Sequence, residues 1–346
     1  MKNIFYFFLK KYCRVALHFF FRQWQIQGAE NIPSGPVIFV PNHQNAFLDA
    51  IIVTCSTAHN PWFVTRSDVF KHPYAKWILS KLQMLPVFRF RDGYKTLKQN
   101  DGALNECINK INSGNSLLIF AEGNHGEKYQ LRPFQKGFAR IALSVNTEVQ
   151  LRIIPVGIQY ESSKCFGTRV LVNFGLPINV ADYTNEDISS RKNYEGLLLR
   201  VYENLKKNII HIDEEFYDAK INYLTKHRVY NENLVEQLRH DQLALVNFPV
   251  EKLNLQVVSH ISVIQKIFNG YTMLNIALPS VIINKFIITH IQDPQFDASI
   301  KFASGLILVP LCWLIQSCFI LLFTESYFLA SIYLISLPIA MRFTKK

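Results

Sequence analysis

In PVIFVPNHQNAFLDA, residues 36–50, an apolar run gives way to a Pro-Asn break, and His43 and Asp49 follow with five residues between them. These are the side chains of a general base and its orienting carboxylate. An imidazole titrates close to neutrality, and a carboxylate facing it fixes the tautomer and stabilises the imidazolium. If they work together, the two side chains must come within hydrogen-bonding reach. Downstream, Arg89 and Arg91 alternate with Phe88 and Phe90. Residues two apart on a strand share a face, so both guanidiniums could meet one phosphate. FAEGNHG (120–126) ends an apolar run with Glu122, and Gly123 permits a tight turn. A carboxylate there could accept a hydrogen bond from a substrate hydroxyl or hold a basic residue. LRPFQKGFAR (131–140) sets Lys136 at the start of a helix, where free N–H groups and the helix dipole favour an anion.

Each signal also has a plainer reading: a histidine capping a loop beside an unrelated aspartate, a solvated charge pair on an edge strand, an ordinary strand-ending turn. No G-x-S-x-G elbow or equivalent is present, so His43 and Asp49 would have to activate a hydroxyl that arrives with the substrate. His43, Asp49, Glu122 and His125 lack the short-range spacing of metal ligands, and no metal is expected.

The elements that must position these residues are apolar runs alternating with helical patterns. Strands are predicted at 36–41, 62–66, 84–90, 116–122, 151–160 and 170–175, with helices such as FLDAIIVTC and KTLKQNDGALNECINKI between them. That alternation predicts an α/β fold with a mixed, largely parallel central sheet flanked by helices, residues 25–180 forming the catalytic domain. Catalytic side chains then belong at the carboxyl ends of the strands. Residues 181–270 are charged and helical in pattern and read as an extension packed on that domain.

Both ends are apolar in a different way. Residues 1–24 are aromatic but carry Lys10, Arg14, His18 and Arg22 four apart, a basic stripe on a helix. Without an unbroken apolar core or a small-residue cleavage site, this segment reads as a helix in the membrane interface. Residues 271–346 read as a membrane-associated segment. Within it 304–323 carries no formal charge over 20 residues, and 327–343 returns as the second arm of a hairpin. Lys301 precedes the hairpin and Arg342, Lys345 and Lys346 follow it, which predicts that side, and the catalytic domain, to be cytoplasmic. Residues 271–291 are apolar but interrupted by Asn275, Pro279, Asn284 and Lys285, and read as an interfacial helix.

A net charge of +11 suits an anionic membrane surface or a phosphorylated substrate. No nucleic-acid motif accompanies it, and nucleic acid is not an expected partner. The six scattered cysteines form no C-x-x-C pair and read as buried thiols rather than a disulfide framework.

The order of these blocks, NH-x5-D, an arginine strand, F-x-E-G and an apolar I-P-V-G, resembles the glycerol-3-phosphate and lysophosphatidate acyltransferase superfamily over about residues 25–180. The resemblance implies a membrane-bound enzyme that moves a fatty acyl group from acyl-CoA or acyl-carrier protein to a glycerol phosphate or lysophospholipid hydroxyl, with no cofactor beyond the acyl donor. It implies His43 as base and Asp49 as its orienter. Arg89 and Arg91 would bind the glycerol phosphate, Glu122 and Gly123 would form the third block at the acceptor site, and Pro155 would shape the acyl or acceptor pocket. The sequence departs from the pattern in its five-residue His–Asp spacing, in Ala121 for the usual Pro, and in Asn124-His125-Gly126 for Thr-Arg-Ser. Loss of that arginine leaves room for two other readings: a lysophospholipid remodelling acyltransferase or transacylase, or a non-catalytic lipid-binding membrane protein.

Overall fold

The computed structural model describes residues 4–70, 73–87, 97–184, 190–228, 230–248, 263–291 and 293–343. Its strands are β1 (Gln23–Gln27), β2 (Val37–Pro41), β3 (Trp62–Arg66), β4 (Met84–Val87), β5 (Leu117–Leu118), β6 (Arg152–Tyr160), β7 (Arg169–Phe174) and β8 (Ile178–Asn179). They form one mixed sheet in the order β1-β7-β6-β2-β5-β3-β4, with β8 paired to β6. Strands β2 to β6 run parallel, whereas β7 and β8 are antiparallel to β6, and β1 is parallel to β7. The largely parallel sheet predicted from the alternating pattern is therefore present. QWQIQ at β1, too polar to stand out as a run, adds an edge strand.

Strand β2 is buried at all of its positions, as a central parallel strand covered on both faces must be. Its alternate side chains enter different layers. Val37 and Phe39 pack with α1 (Ile4–Phe20), α2 (Ala46–Ser56) and the first turns of α10 (Asp297–Thr324). Ile38 and Val40 pack on the other face with α4 (Leu97–Asn112), α5 (Gly137–Leu143) and α6 (Ser190–Lys207). Helix α3 (Pro73–Lys81) leads into β4, and α7 (Tyr217–His227) and α8 (Leu234–Val246) cover Leu171 of β7.

The basic stripe of α1 divides between domain and solvent: Lys10 and Arg22 are half-buried, and Arg14 and His18 are exposed. Lys10 Nζ donates to the carbonyls of Thr57 and His59 and to Asn60 Oδ1, closing the end of α2. His18 packs against Trp24, and Arg22 pairs with Glu161 at 3.2 Å. The exposed side of the same helix presents Ile4, Phe5, Phe7, Phe8, Tyr12 and Val15.

The C-terminal helices are α9 (Val263–Val281), α10 and α11 (Tyr327–Phe343). Helices α10 and α11 are joined at Glu325-Ser326 and linked where Ser317 Oγ donates to the Ala330 carbonyl (2.9 Å), the paired arms read from the sequence. Residues 271–290 lie in a 28-residue helical rod, Val263–His290, in which a π turn at Ile282–Ile287 follows Pro279. The interrupting Asn275 is satisfied inside the bundle: its Nδ2 donates to the Tyr271 carbonyl (2.8 Å), and its Oδ1 accepts from the Tyr333 hydroxyl. Val263–His290 and Asp297–Thr324 are both long and apolar enough to cross a membrane.

Candidate active site

The strand order brings the site together. Because β2 lies between β5 and β6, the segments leaving the carboxyl ends of β2 and β5 emerge side by side, next to the longer β6. Asn42 extends the ladder past the end of β2: its Oδ1 accepts from Ile158 N–H (2.7 Å) and its Nδ2 donates to the Ile158 carbonyl (3.0 Å). The chain then turns, with Ala46 at a left-handed φ of 41°, and enters α2.

In that turn His43 Nδ1 lies 2.9 Å from Asp49 Oδ2, the approach the sequence required. Asp49 is 0% exposed and is surrounded by donors. The backbone N–H groups of Gln44 (2.8 Å) and Asn45 (2.7 Å) bond to Oδ2, and the Tyr160 hydroxyl bonds to Oδ1 (2.6 Å). Burial, and after it the Asp49 carboxylate, pushes the Tyr160 phenol well above its ordinary range, so Tyr160 remains a donor. A carboxylate held by this many donors accepts from His43 as well, which puts the ring proton on Nδ1 and leaves the Nε2 lone pair unshared. Among the described residues Nε2 has no hydrogen-bond partner. The ring stacks on Phe120 with centroids 3.7 Å apart and is 12% exposed.

Glu122 and the turn after it grip the His43 backbone from two sides. Glu122 Oε1 accepts the His43 N–H (2.8 Å), while the His43 carbonyl accepts the Gly126 N–H (2.9 Å). Gly123 sits at φ 75°, where a side chain would be strained. Glu122 Oε2 accepts from Arg132 Nε (2.9 Å) and Arg132 N–H (3.1 Å). Arg132 also donates to the carbonyls of His125 and Asn124, so one guanidinium holds the whole turn. Burial raises the Glu122 pKa above the usual carboxylate range, and the Arg132 charge and hydrogen bonds pull it back. Glu122 therefore holds a basic residue, one of the two uses its position suggested.

His125, in the third block, stands edge-on to His43 with ring centroids 5.3 Å apart. Its Nε2 lies 3.3 Å from Asp293 Oδ2, and Phe296 packs against its ring. Burial, and next the neighbouring His43, lowers the His125 pKa, against the opposing pull of Asp293. A pocket is lined by Asn42, His43, Gln44, Glu122, Lys128, Ile209 and Ile210.

Four predicted residues remain. Arg89 and Arg91 fall outside the described residues. Lys136 is exposed at the start of α5, where its charge acts on Glu195 of α6, and it does not line the pocket. Pro155 is buried inside β6 opposite Val40, and its carbonyl accepts the Gly175 N–H (2.8 Å). Four positions in the site went unread: Asn42, Arg132, Tyr160 and Asp293. Tyr160 had a usable signal, since a tyrosine ending a buried strand needs a partner for its hydroxyl. Asp293 had none, being far from the motifs in sequence.

Residues 23–159 match the family model described as Acyltransferase. A chloroplastic 1-acyl-sn-glycerol-3-phosphate acyltransferase of Brassica napus is 29% identical over 146 residues, 42% of this chain and 40% of that protein. A 1-acyl-sn-glycerol-3-phosphate acyltransferase of Borreliella burgdorferi is 23% identical over 170 residues, 49% of this chain and 64% of that protein. The chain thus spans less than two thirds of the length of these relatives. The crystal structure of the 1-acyl-sn-glycerophosphate acyltransferase PlsC from Thermotoga maritima aligns over 53% of this chain and 72% of that one, with 24% identity and a TM-score of 0.37. By this match and by the order of its motifs, residues 23–159 form an acyltransferase-type module, similar to part of the 1-acyl-sn-glycerol-3-phosphate acyltransferases.

Proposed function

We propose that this protein is a membrane-bound O-acyltransferase that moves a fatty acyl group from an acyl thioester to a hydroxyl of glycerol-3-phosphate or lysophosphatidate. The observation that carries the reading is the His43–Asp49 pair, with Asp49 wholly buried among donors and Nε2 of His43 without a hydrogen-bond partner among the described residues. In this reading Nε2 takes the proton of the acceptor hydroxyl as its oxygen attacks the thioester carbonyl. The tetrahedral intermediate collapses by breaking the C–S bond, and the imidazolium returns its proton to the departing thiolate. Asp49 stabilises the imidazolium while it exists. The products are the ester and the free thiol, and no group on the enzyme is acylated. Arg89 and Arg91 are proposed as phosphate ligands. The exposed apolar side of α1 and the helices α9 to α11 would hold the domain at a bilayer, on its cytoplasmic face, where a lipid product can leave.

The test is transfer of a labelled palmitoyl group from its CoA thioester by purified membranes carrying wild type or His43→Ala. Glycerol-3-phosphate and lysophosphatidate are offered separately, and acyl-carrier protein replaces CoA in a parallel arm. Transfer by wild type and none by His43→Ala is expected; transfer surviving in the variant removes His43 as the base. A second reading, remodelling of headgroup-bearing lysophospholipids, draws on the third block, where Asn124-His125-Gly126 supplies no arginine and Arg132 is engaged by Glu122. Competition between lysophosphatidate and lysophospholipids for one acyl donor separates the two.

A further inference from the structure

Helix α2 carries Asp49 in its first turns, and its N-terminus is not capped by its own residue. The N-cap is Asn45, whose side chain makes no cap hydrogen bond and donates instead to the Ser163 carbonyl (2.7 Å). The first-turn N–H groups of a helix need an acceptor, and a side-chain oxygen normally supplies it from the N-cap position itself. Here the oxygen comes from the far end of the chain. Ser299 Oγ accepts the Leu48 N–H (2.9 Å), which the Asn45 carbonyl shares (3.1 Å), and donates to that same carbonyl (2.8 Å). Ser299 is 0% exposed, in the first turn of α10, and its neighbours Ala298 and Phe302 are buried in the core that also holds Leu48, Ala50 and Ile52.

The residue so held matters. The Asn45 N–H donates to Asp49 Oδ2, the same oxygen that faces His43. The next residue, Ala46, has a φ of 41°, a conformation that a non-glycine residue keeps only when its surroundings impose it. Two further contacts from the segment entering α10 reach the site: Asp293 pairs with His125, and Phe296 packs on its ring.

Resting on the proposed acyl transfer, we infer that Ser299 is a positioning residue for the His43–Asp49 pair, through which the apolar C-terminal helix α10 forms part of the active centre rather than a detachable anchor. The hydroxyl fixes the Asn45–Leu48 turn, the turn fixes the Asn45 N–H on Asp49, and Asp49 fixes the imidazole.

The experiment compares full-length wild type, Ser299→Ala, Ser299→Thr and His43→Ala in membranes, reading kcat, the KM of each substrate and the thermal midpoint. Ser299→Ala is expected to lower kcat about tenfold, as a small misplacement of a catalytic group does, with both KM values unchanged. Ser299→Thr, which keeps the oxygen, is expected to recover most of that loss. Wild-type kcat in Ser299→Ala overturns the inference, and so does a loss confined to KM. Should Ser299→Ala fail to accumulate, deuterium exchange at the Leu48 amide of wild type decides. Protection beyond that of a frayed first turn supports the cap, and free exchange overturns it. An inactive His43→Ala beside an unaffected Ser299→Ala sinks the inference alone, whereas an active His43→Ala sinks the functional reading beneath it.

Discussion

The two oxygens of Asp49 hold four donors: the His43 ring and the Gln44 and Asn45 amides from one turn, and the Tyr160 phenol from β6. Tyr160 is the one most easily tested. Tyr160→Phe removes a single hydrogen bond to a buried carboxylate and should cost about 1.5–3 kcal/mol, read as a lower urea midpoint with an unchanged m-value. Activity should fall but persist, because the amides still hold Oδ2. Arg132 offers a pH test. The Glu122 pKa is already raised by burial, and Arg132→Ala would raise it further by removing the partner of the ionised form. The folded protein then disfavours ionised Glu122, so the penalty is largest above the folded pKa and shrinks as acid protonates the group. At neutral pH the loss should be on the order of 3 kcal/mol. Paired melts of wild type and variant at pH 7 and pH 5 should show the gap narrowing at pH 5.

Between elements, close approach decides more than any one side chain. Gly157 in β6 lies against the end of α6, where an added Cβ would sit 2.2 Å from the Asn208 carbonyl oxygen. Gly157→Ala must push the strand and the helix end apart, at a cost of roughly 2–3 kcal/mol. Ile209 and Ile210, which follow Asn208, line the pocket beside His43. The same substitution should therefore alter the KM of a substrate as well as the thermal midpoint. A variant that melts earlier with an unchanged KM would show that the 209–210 wall is not part of the binding site.

At the scale of the molecule, the apolar C-terminus and the catalytic domain share one core. Ala298 and Phe302 of α10 are buried with residues of α1, α2 and the sheet, and Phe20 meets Phe302 edge-on at 5.4 Å. Truncation before Asp297 should thus remove core as well as anchor. A detergent-solubilised truncated chain is expected to lose activity and melt at lower temperature than full-length protein in the same detergent. Equal activity of the two would make α10 to α11 a separable anchor.

Local pattern in the chain was enough for the parallel sheet, most strand positions and the His43–Asp49 partnership, although β5 stops at Leu118 and leaves Glu122 in the turn beyond it. Apolar runs and a short His–Asp spacing are local signals, and the β2–α2 turn places the two residues close together in the chain. Helix α11 was legible because residues 327–343 form an almost wholly apolar run. The strand order was not legible, and it is what seats Glu122 and Tyr160 beside His43. Nor were the contacts that cross the chain. Ser299 reaches the α2 turn across 251 residues, Asp293 reaches His125 across 168, and Lys10 folds inward to close α2 when its spacing alone pointed to a membrane surface. Hydrogen-bond donors and acceptors carry no periodicity, so which distant group satisfies them is settled only when the layers pack.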